Sequence, residues 1–320
     1  MARIRFLGPA LILFFGLLVL YIAFGNSSPE ALQGLTKYRP SSSNPAAPKK
    51  ARYAITSSVQ THHFTPLAMM LGYSILKHNN MNDLDAEMVL LVREANDDDA
   101  KDGVTKEDIE KLEKVGWKVR VEKELQFENV KIEDIRAHHR HNLNKLHLWT
   151  WTEYEKIVFI DADVVCKGKL DELLAMPGEF AAAPDVWWFQ LTDTKFNSGV
   201  IVFRPSKKTF DDMYVKVSDE NYHKPNEADQ AFLNEYYKFR FFGLPYRYNF
   251  NLVMYKHHTD VWNLLWDEAV LIHMTMRKPQ PAPNHCLEGC DEQGPSVWYG
   301  EYFKEMLLHH GWDGQIPVYA

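Results

Sequence analysis

From residue 52 onward the chain alternates between short, β-branched apolar runs and longer stretches whose apolar positions recur every three or four residues. A short apolar run bounded by polar residues predicts a buried strand, and the wider spacing predicts an amphipathic helix. Strands are therefore expected at residues 53–56, 88–92, 118–121, 157–160, 180–183, 200–203 and 269–272. Helices are expected at 67–78 behind Pro66, from Thr105 towards Val115, near 142–152, from Ser206 to 217, and from Asn226 to 237. Thr105 stands three residues before Asp108, a helix-start pattern with its acids at the favourable end. The alternation predicts a mostly parallel sheet covered by helices. No internal repeat is visible.

The first 25 residues break this pattern. Arg3 and Arg5 precede Phe6 to Phe24, 19 residues without a charge, which is long enough for one membrane-spanning helix. A cleaved signal peptide is the competing reading, because Ala23-Phe24-Gly25 offers small residues at a cleavage spacing. The apolar stretch is long for a signal peptide, so a retained signal-anchor is expected over 1–25. The flanking arginines put the amino terminus in the cytosol. The rest of the chain would then lie in the lumen of the Golgi or another secretory compartment, as a single-pass type II protein. Residues 26–50 are rich in Pro, Ser and Ala, and no acid occurs between Ala31 and Asn82. This is the composition of a basic stem that cannot bury a core. One large α/β domain is expected over 51–282, with a C-terminal extension at 283–320 packing on it.

Composition narrows the partners. With 46% hydrophobic and 25% charged residues the chain is ordinary for a globular protein, and a net charge of −7 makes nucleic acid a poor partner. The three cysteines are Cys166, Cys286 and Cys290. Cys166 reads as a small buried hydrophobe. Cys286 and Cys290 could close a small disulfide loop in an oxidising lumen; with His285 they are too few for a structural zinc.

The chemistry concentrates at strand ends. Asp161 and Asp163 follow the apolar run Ile157-Val158-Phe159-Ile160, at the sheet edge where ligands of open α/β proteins sit. Alone, an Asp-x-Asp is often a turn of solvated acids. Here His273 ends a later strand, and Lys278 follows one short loop further on. Two carboxylates and an imidazole suit Mn²⁺, and a lysine beside them would neutralise phosphate as a compact charge.

Six stretches, in this order, resemble the family 8 retaining glycosyltransferases, the group that includes glycogenin and bacterial galactosyltransferases. They are Asn144-Lys-Leu-His-Leu-Trp149, Phe159-Ile-Asp-Ala-Asp-Val164, Phe196-Asn-Ser-Gly-Val-Ile-Val-Phe203, Asp229-Gln-Ala-Phe-Leu-Asn234, Leu244-Pro-Tyr-Arg-Tyr-Asn249, and His273 with Lys278-Pro279. The resemblance implies a GT-A fold that binds a UDP-sugar and Mn²⁺, with a glycan or glycoconjugate as acceptor; a second copy of the chain is a further candidate partner. It implies Asp161, Asp163 and His273 as metal ligands, with Asp161 and Ala162 also touching the nucleotide. Lys278 would meet the diphosphate. Lys145, Asn197, Asp229 and Gln230 would hold the donor sugar, and Thr56, Ser57 and Phe64 the uracil. Gln230 would lie nearest the anomeric carbon, in a positioning role, since an amide is a poor nucleophile.

The chain departs from the family in spacing His273 and Lys278 by five residues rather than six, with no Gly between. Plainer readings stand beside these roles. Asp229 could be a helix N-terminal acid, Asn197 a turn residue and Lys145 an exposed helix lysine. Trp262 and Trp266, at helical spacing, and Trp187-Trp188 read as core or rim before acceptor platform. Two rival functions remain: a haloacid dehalogenase-type phosphatase with Asp161 as nucleophile, and a catalytically silent lumenal protein that binds glycan or UDP-sugar.

Overall fold

A computed structural model describes residues 50–95, 102–136, 139–186, 195–224, 226–275 and 294–312. The expected anchor, the stem up to residue 49, Trp187, Trp188, Lys278, Cys286 and Cys290 lie outside the described residues. Among the described residues no helix is long and apolar enough to cross a membrane.

The central apolar runs become strands because side chains on both of their faces find cover, whereas the edge strand Lys118–Glu122 has no buried residue. β1 (Tyr53–Val59), β2 (Ala86–Arg93), β3 (Lys118–Glu122) and β4 (Lys156–Ile160) lie parallel in the order β3-β2-β1-β4. Alternate residues of β4 feed different apolar layers. Val158 and Ile160 join one layer, and Ile157 and Phe159 the other. Helix α1 (Thr65–His78) connects β1 to β2 over the first layer, with Pro66 in its opening turn, where a missing N–H costs nothing. Helix α2 (Lys106–Lys114) starts at a reciprocal capping box between Thr105 and Asp108.

Beyond β4 the chain forms β5 (Val164–Cys166), α3 (Asp171–Ala175), β6 (Phe180–Pro184) and β7 (Phe196–Phe203). Next come α4 (Lys207–Val217), capped by Ser206, then α5 (Asp229–Tyr236), β8 (Phe242–Gly243) and β9 (Phe250–Asn251). Helices α6 (Leu252–His257) and α7 (Thr259–Leu265), β10 (Leu271–His273) and α8 (Pro295–His310) complete the described chain. Helix α8 docks on α1, where Tyr73 Oη donates to Glu305 at 2.7 Å and Lys77 reaches the same carboxylate at 2.6 Å. Cys166 is fully buried.

Four details differ from the expectations or add to them. The main sheet, β3-β2-β1-β4-β7-β6-β8, is mostly parallel, with β7 alone running antiparallel to its neighbours β4 and β6. All eight residues of β7 are buried, and such a run reads the same in either direction. The strand expected at 269–272 is β10, and it belongs to a second sheet, β5-β10-β9, whose other two strands went unforeseen because they hold three residues or fewer. Residues Asn142–Thr150 form a 3-10 helix rather than an α-helix. Three residues per turn stacks Leu143, Leu146 and Trp149 on one side, and all three belong to the second apolar layer. Finally, Asn226 does not start α5, which begins at Asp229 behind Ala228.

Candidate functional site

After β4 the chain turns tightly, and Val164 N–H closes the turn on the Asp161 carbonyl at 3.1 Å. β5 then pairs with β10, setting Val164 opposite His273. Two acids from a turn and one imidazole from a strand are thereby brought face to face. Their ligand atoms all lie within 4.8 Å of one another. His273 Nε2 is 3.3 Å from Asp163 Oδ1 and 4.0 Å from Asp161 Oδ2. Asp163 and His273 are buried, while the Asp161 side chain keeps 32% of its surface open to solvent.

Burial pushes the Asp161 carboxyl above its ordinary range; Lys145 opposes that rise and Asp163 adds to it. Crowded acids with an imidazole beside them match the donor set of a divalent cation that accepts both oxygen and nitrogen. The space is reserved by Gly199. A Cβ there would lie 2.3 Å from His273 Cε1 and 2.9 Å from Asp161 Oδ2.

Behind the acids stands Lys145, carried by the 3-10 helix. Its Nζ donates to Asp229 Oδ2 at 2.6 Å, to the Ser198 carbonyl at 3.2 Å and to Asp161 Oδ1 at 3.4 Å. The ammonium also lies 4.3 Å over the Phe159 ring. Lys145 and Asp229 are each only 3% exposed, so the surface-lysine reading is set aside. Burial alone would raise the Asp229 carboxyl, but Lys145 and the Ser198 hydroxyl outweigh it and hold the group below its ordinary value. Asp229 also opens α5, where a negative charge meets the helix dipole favourably. The structural and functional readings of this residue are therefore compatible.

Gln230, next on α5, is gripped at both ends of its amide. Ser198 N–H donates to Oε1 at 3.1 Å, and Nε2 donates to Asp185 Oδ2 at 3.0 Å. Asn197 lies within β7 rather than in a turn. Its Oδ1 accepts from Gly199 N–H at 3.0 Å and from Asn249 Nδ2 at 2.9 Å. Asn249 Oδ1 in turn lies 2.7 Å from His273 Nδ1.

The structure thus brings together Lys145, Asp161, Asp163, Asn197, Asp229, Gln230 and His273. Ala162 sits buried in the turn between the acids. The three residues expected at the base do not converge in this way. Thr56 and Ser57 are fully buried within β1; the Thr56 hydroxyl is 3.5 Å from the Val158 carbonyl, and the Ser57 hydroxyl makes no hydrogen bond among the described residues. Phe64 ends a 3-10 turn, His62–Phe64, and packs against the first apolar layer. Trp262 is buried and stacks on Phe250 at 4.3 Å, and Trp266 is 5.5 Å beyond it, so both belong to packing.

Asp185, Ser198 and Asn249 were not singled out from the sequence. Asp185 carried a usable signal, since it follows an apolar strand just as Asp161 does. Burial pushes its carboxyl up, against hydrogen bonds from Val186, Gln230 and Asn197.

The profile of the family described as Glycosyl transferase family 8 matches residues 55–279. Mouse (Mus musculus) glycogenin-1 is 30% identical over 193 residues, 53% of this chain and 55% of that protein. UDP-glucuronate:xylan alpha-glucuronosyltransferase 2 of Arabidopsis thaliana is 32% identical over 203 residues, 63% of this chain and 30% of that protein. The chain therefore spans about half the length of the first relative and under a third of the second. Among solved structures, the glycosyltransferase GlyE of Streptococcus pneumoniae TIGR4 has a TM-score of 0.55 at 16% identity, covering 85% of this chain and 66% of that one. The galactosyltransferase LgtC gives 0.51 at 17%, covering 82% and 100%. At such identities these structures establish a common fold, a GT-A-like α/β arrangement with a mixed sheet. The family profile runs from within β1 to beyond β10 and takes in every residue of the Asp161–Asp163–His273 group, so this chain belongs to glycosyl transferase family 8.

Proposed function

We propose that the chain is a retaining glycosyltransferase that moves a hexose-type sugar from a UDP-sugar to a glycan or glycoconjugate acceptor, with Mn²⁺ as cofactor. The observation that carries this reading is the group of Asp161, Asp163 and His273, with ligand atoms all within 4.8 Å of one another, backed by the Lys145–Asp229 pair at 2.6 Å. A divalent cation held by those three side chains would neutralise the charge that develops on the leaving diphosphate. Lys278, five residues after His273, is the chain's own contribution to the same charge. Lys145, Asp229 and Asn197 would hold donor hydroxyls. Gln230, with both amide ends engaged, positions the sugar and is not free to act as a nucleophile. The acceptor hydroxyl would attack from the face that UDP leaves, passing its proton to the departing phosphate. Thr56, Ser57 and Phe64 remain the proposed lining of the base pocket. Neither the phosphatase nor the silent-binder reading is favoured by the family assignment.

We further propose the type II topology, with the domain in the lumen of the Golgi or a neighbouring compartment. The test of activity is a panel of UDP-sugars offered to the full-length chain, with Mn²⁺ or with EDTA. Slow hydrolysis of at least one donor, only with the cation, is expected; an equal rate in EDTA would sink the metal role. With an acceptor in hand, the anomeric proton coupling of the product should report the α configuration of the donor. A β-linked product would overturn the retaining reading.

A further inference from the structure

An amide or an imidazole has its orientation fixed wherever one neighbour can only donate a hydrogen bond. Gly199 supplies such a neighbour. Its backbone N–H is 3.0 Å from Asn197 Oδ1, so the atom at that position must be the oxygen. The same oxygen lies 2.9 Å from Asn249 Nδ2, which must then be the NH₂ end of that amide. The opposite end, Asn249 Oδ1, faces His273 Nδ1 at 2.7 Å. An amide oxygen can only accept, so Nδ1 carries the ring proton. In the neutral ring Nε2 then keeps its lone pair, and Nε2 is the nitrogen that faces Asp163 Oδ1 at 3.3 Å.

Every member is buried: Asn197 is 6%, Asn249 2% and His273 3% exposed. Reversing any one amide would set donor against donor or acceptor against acceptor in a place where water cannot compensate. Gly199 also accepts Asp161 N–H at 2.7 Å through its carbonyl. One residue thus ties the acid side of the group to the imidazole side.

We propose that Asn197 and Asn249 are positioning residues that relay the direction of the Gly199 N–H to His273, holding the imidazole in the Nδ1-protonated tautomer whose Nε2 can ligate a divalent cation. The proposal rests on the reading that Asp161, Asp163 and His273 hold a cation. A metal-ligating histidine is ordinarily oriented by a carboxylate or carbonyl on its other nitrogen; here two amides and a backbone N–H do that work. Asn249 gains a role, and Asn197 Oδ1 is withdrawn from the donor sugar, leaving Asn197 Nδ2 for Asp185 or a ligand.

Two measurements on the full-length chain test this. The first is a long-range ¹H–¹⁵N spectrum of the cation-free, ¹⁵N-histidine-labelled protein at a pH where the ring is neutral, with His273 identified by its loss in His273→Gln. The second is direct Mn²⁺ binding by electron paramagnetic resonance. The wild type should show the proton on Nδ1. Asn249→Ala should lose that preference and bind Mn²⁺ about tenfold or more weakly, the scale of losses behind a ligating histidine. Asn249→Asp, with its carboxyl protonated on the oxygen that faces Asn197 Oδ1, can still accept from Nδ1, so it should keep the tautomer and most of the affinity. A role in packing alone would not separate the two variants in this way. A wild-type proton on Nε2, or undiminished Mn²⁺ binding by Asn249→Ala, overturns the relay. An Nδ1 proton in a wild type that takes up no Mn²⁺ supports the relay's tautomer and overturns the cation reading instead.

Discussion

At the scale of single residues, the Lys145–Asp229 pair separates stability from function most cleanly. Both side chains are withdrawn from water, and removing one leaves the other as an uncompensated buried charge, at a cost of roughly 3–5 kcal/mol. Lys145→Met should lower unfolding free energy by about that amount in urea. Adding Asp229→Leu should recover much of the loss without restoring turnover. A double variant that transfers sugar at the wild-type rate would reduce the pair to scaffold. Gly199→Ala is a second residue-scale expectation. The Cβ contacts at 2.3 Å and 2.9 Å predict about 1–3 kcal/mol of overpacking and a smaller rise in Tm on adding Mn²⁺ than in the wild type. An unchanged Mn²⁺-induced rise would mean that the space around His273 is not needed. Asp161, Asp163 and His273 were legible because acids or an imidazole directly after a buried strand are hard to explain as packing. Asn249 and Ser198 were not, because a neutral polar side chain at a strand end looks like an ordinary turn residue until its partners are known.

At the scale of elements, the contact between α1 and α8 should respond to pH. Burial holds the His78 imidazole below its ordinary 6.5, with Lys77, Lys169 and Lys167 adding to the effect and Glu305 weakly opposing it. Burial, His309 and Lys114 do the same to His310. As pH falls below about 6.5 the unfolded chain therefore takes up protons before the folded one, and the folded state loses stability through that window. Hydrogen exchange of residues 295–310, corrected for intrinsic rates, should be faster at about pH 5.5 than at about pH 7.5. Equal protection at both would show that neither histidine is coupled to the docking of α8. Elements whose local signals agreed with their surroundings were readable in advance. The capping box of α2 and the Ser206 cap of α4 are examples. The direction of β7 and the short strands β5 and β9 of the smaller sheet were not, since pairing partners far along the chain decide both. The 3-10 winding of Asn142–Thr150 has the same origin: burial of Leu143, Leu146 and Trp149 together overrides the α-helical period.

At the scale of the whole molecule, the prediction concerns where the domain works. If the apolar stretch from Phe6 to Phe24 is a retained anchor, residues 26–320 should survive protease in intact vesicles and stay with the membrane after carbonate washing. Digestion without permeabilisation would place the domain in the cytosol. Release by carbonate would mean that the segment does not hold the chain in the bilayer.

The placement of β4 between β1 and β7 has a consequence for the life history of the protein. β1 lies about a hundred residues before it and β7 some forty after, as the pairings of Val158 with Ile55 and Val202 record. Chain closures of that length are paid in entropy before any long-range contact repays them. The Asp161 turn thus matures only when both neighbours are in register, so the proposed cation can be captured only by a nearly finished molecule. Capture would then lock in what has been built, by about 2.7 kcal/mol when the free ion stands at a hundred times its Kd. A compartment that supplies the ion would govern the survival of newly made copies as well as their rate of work.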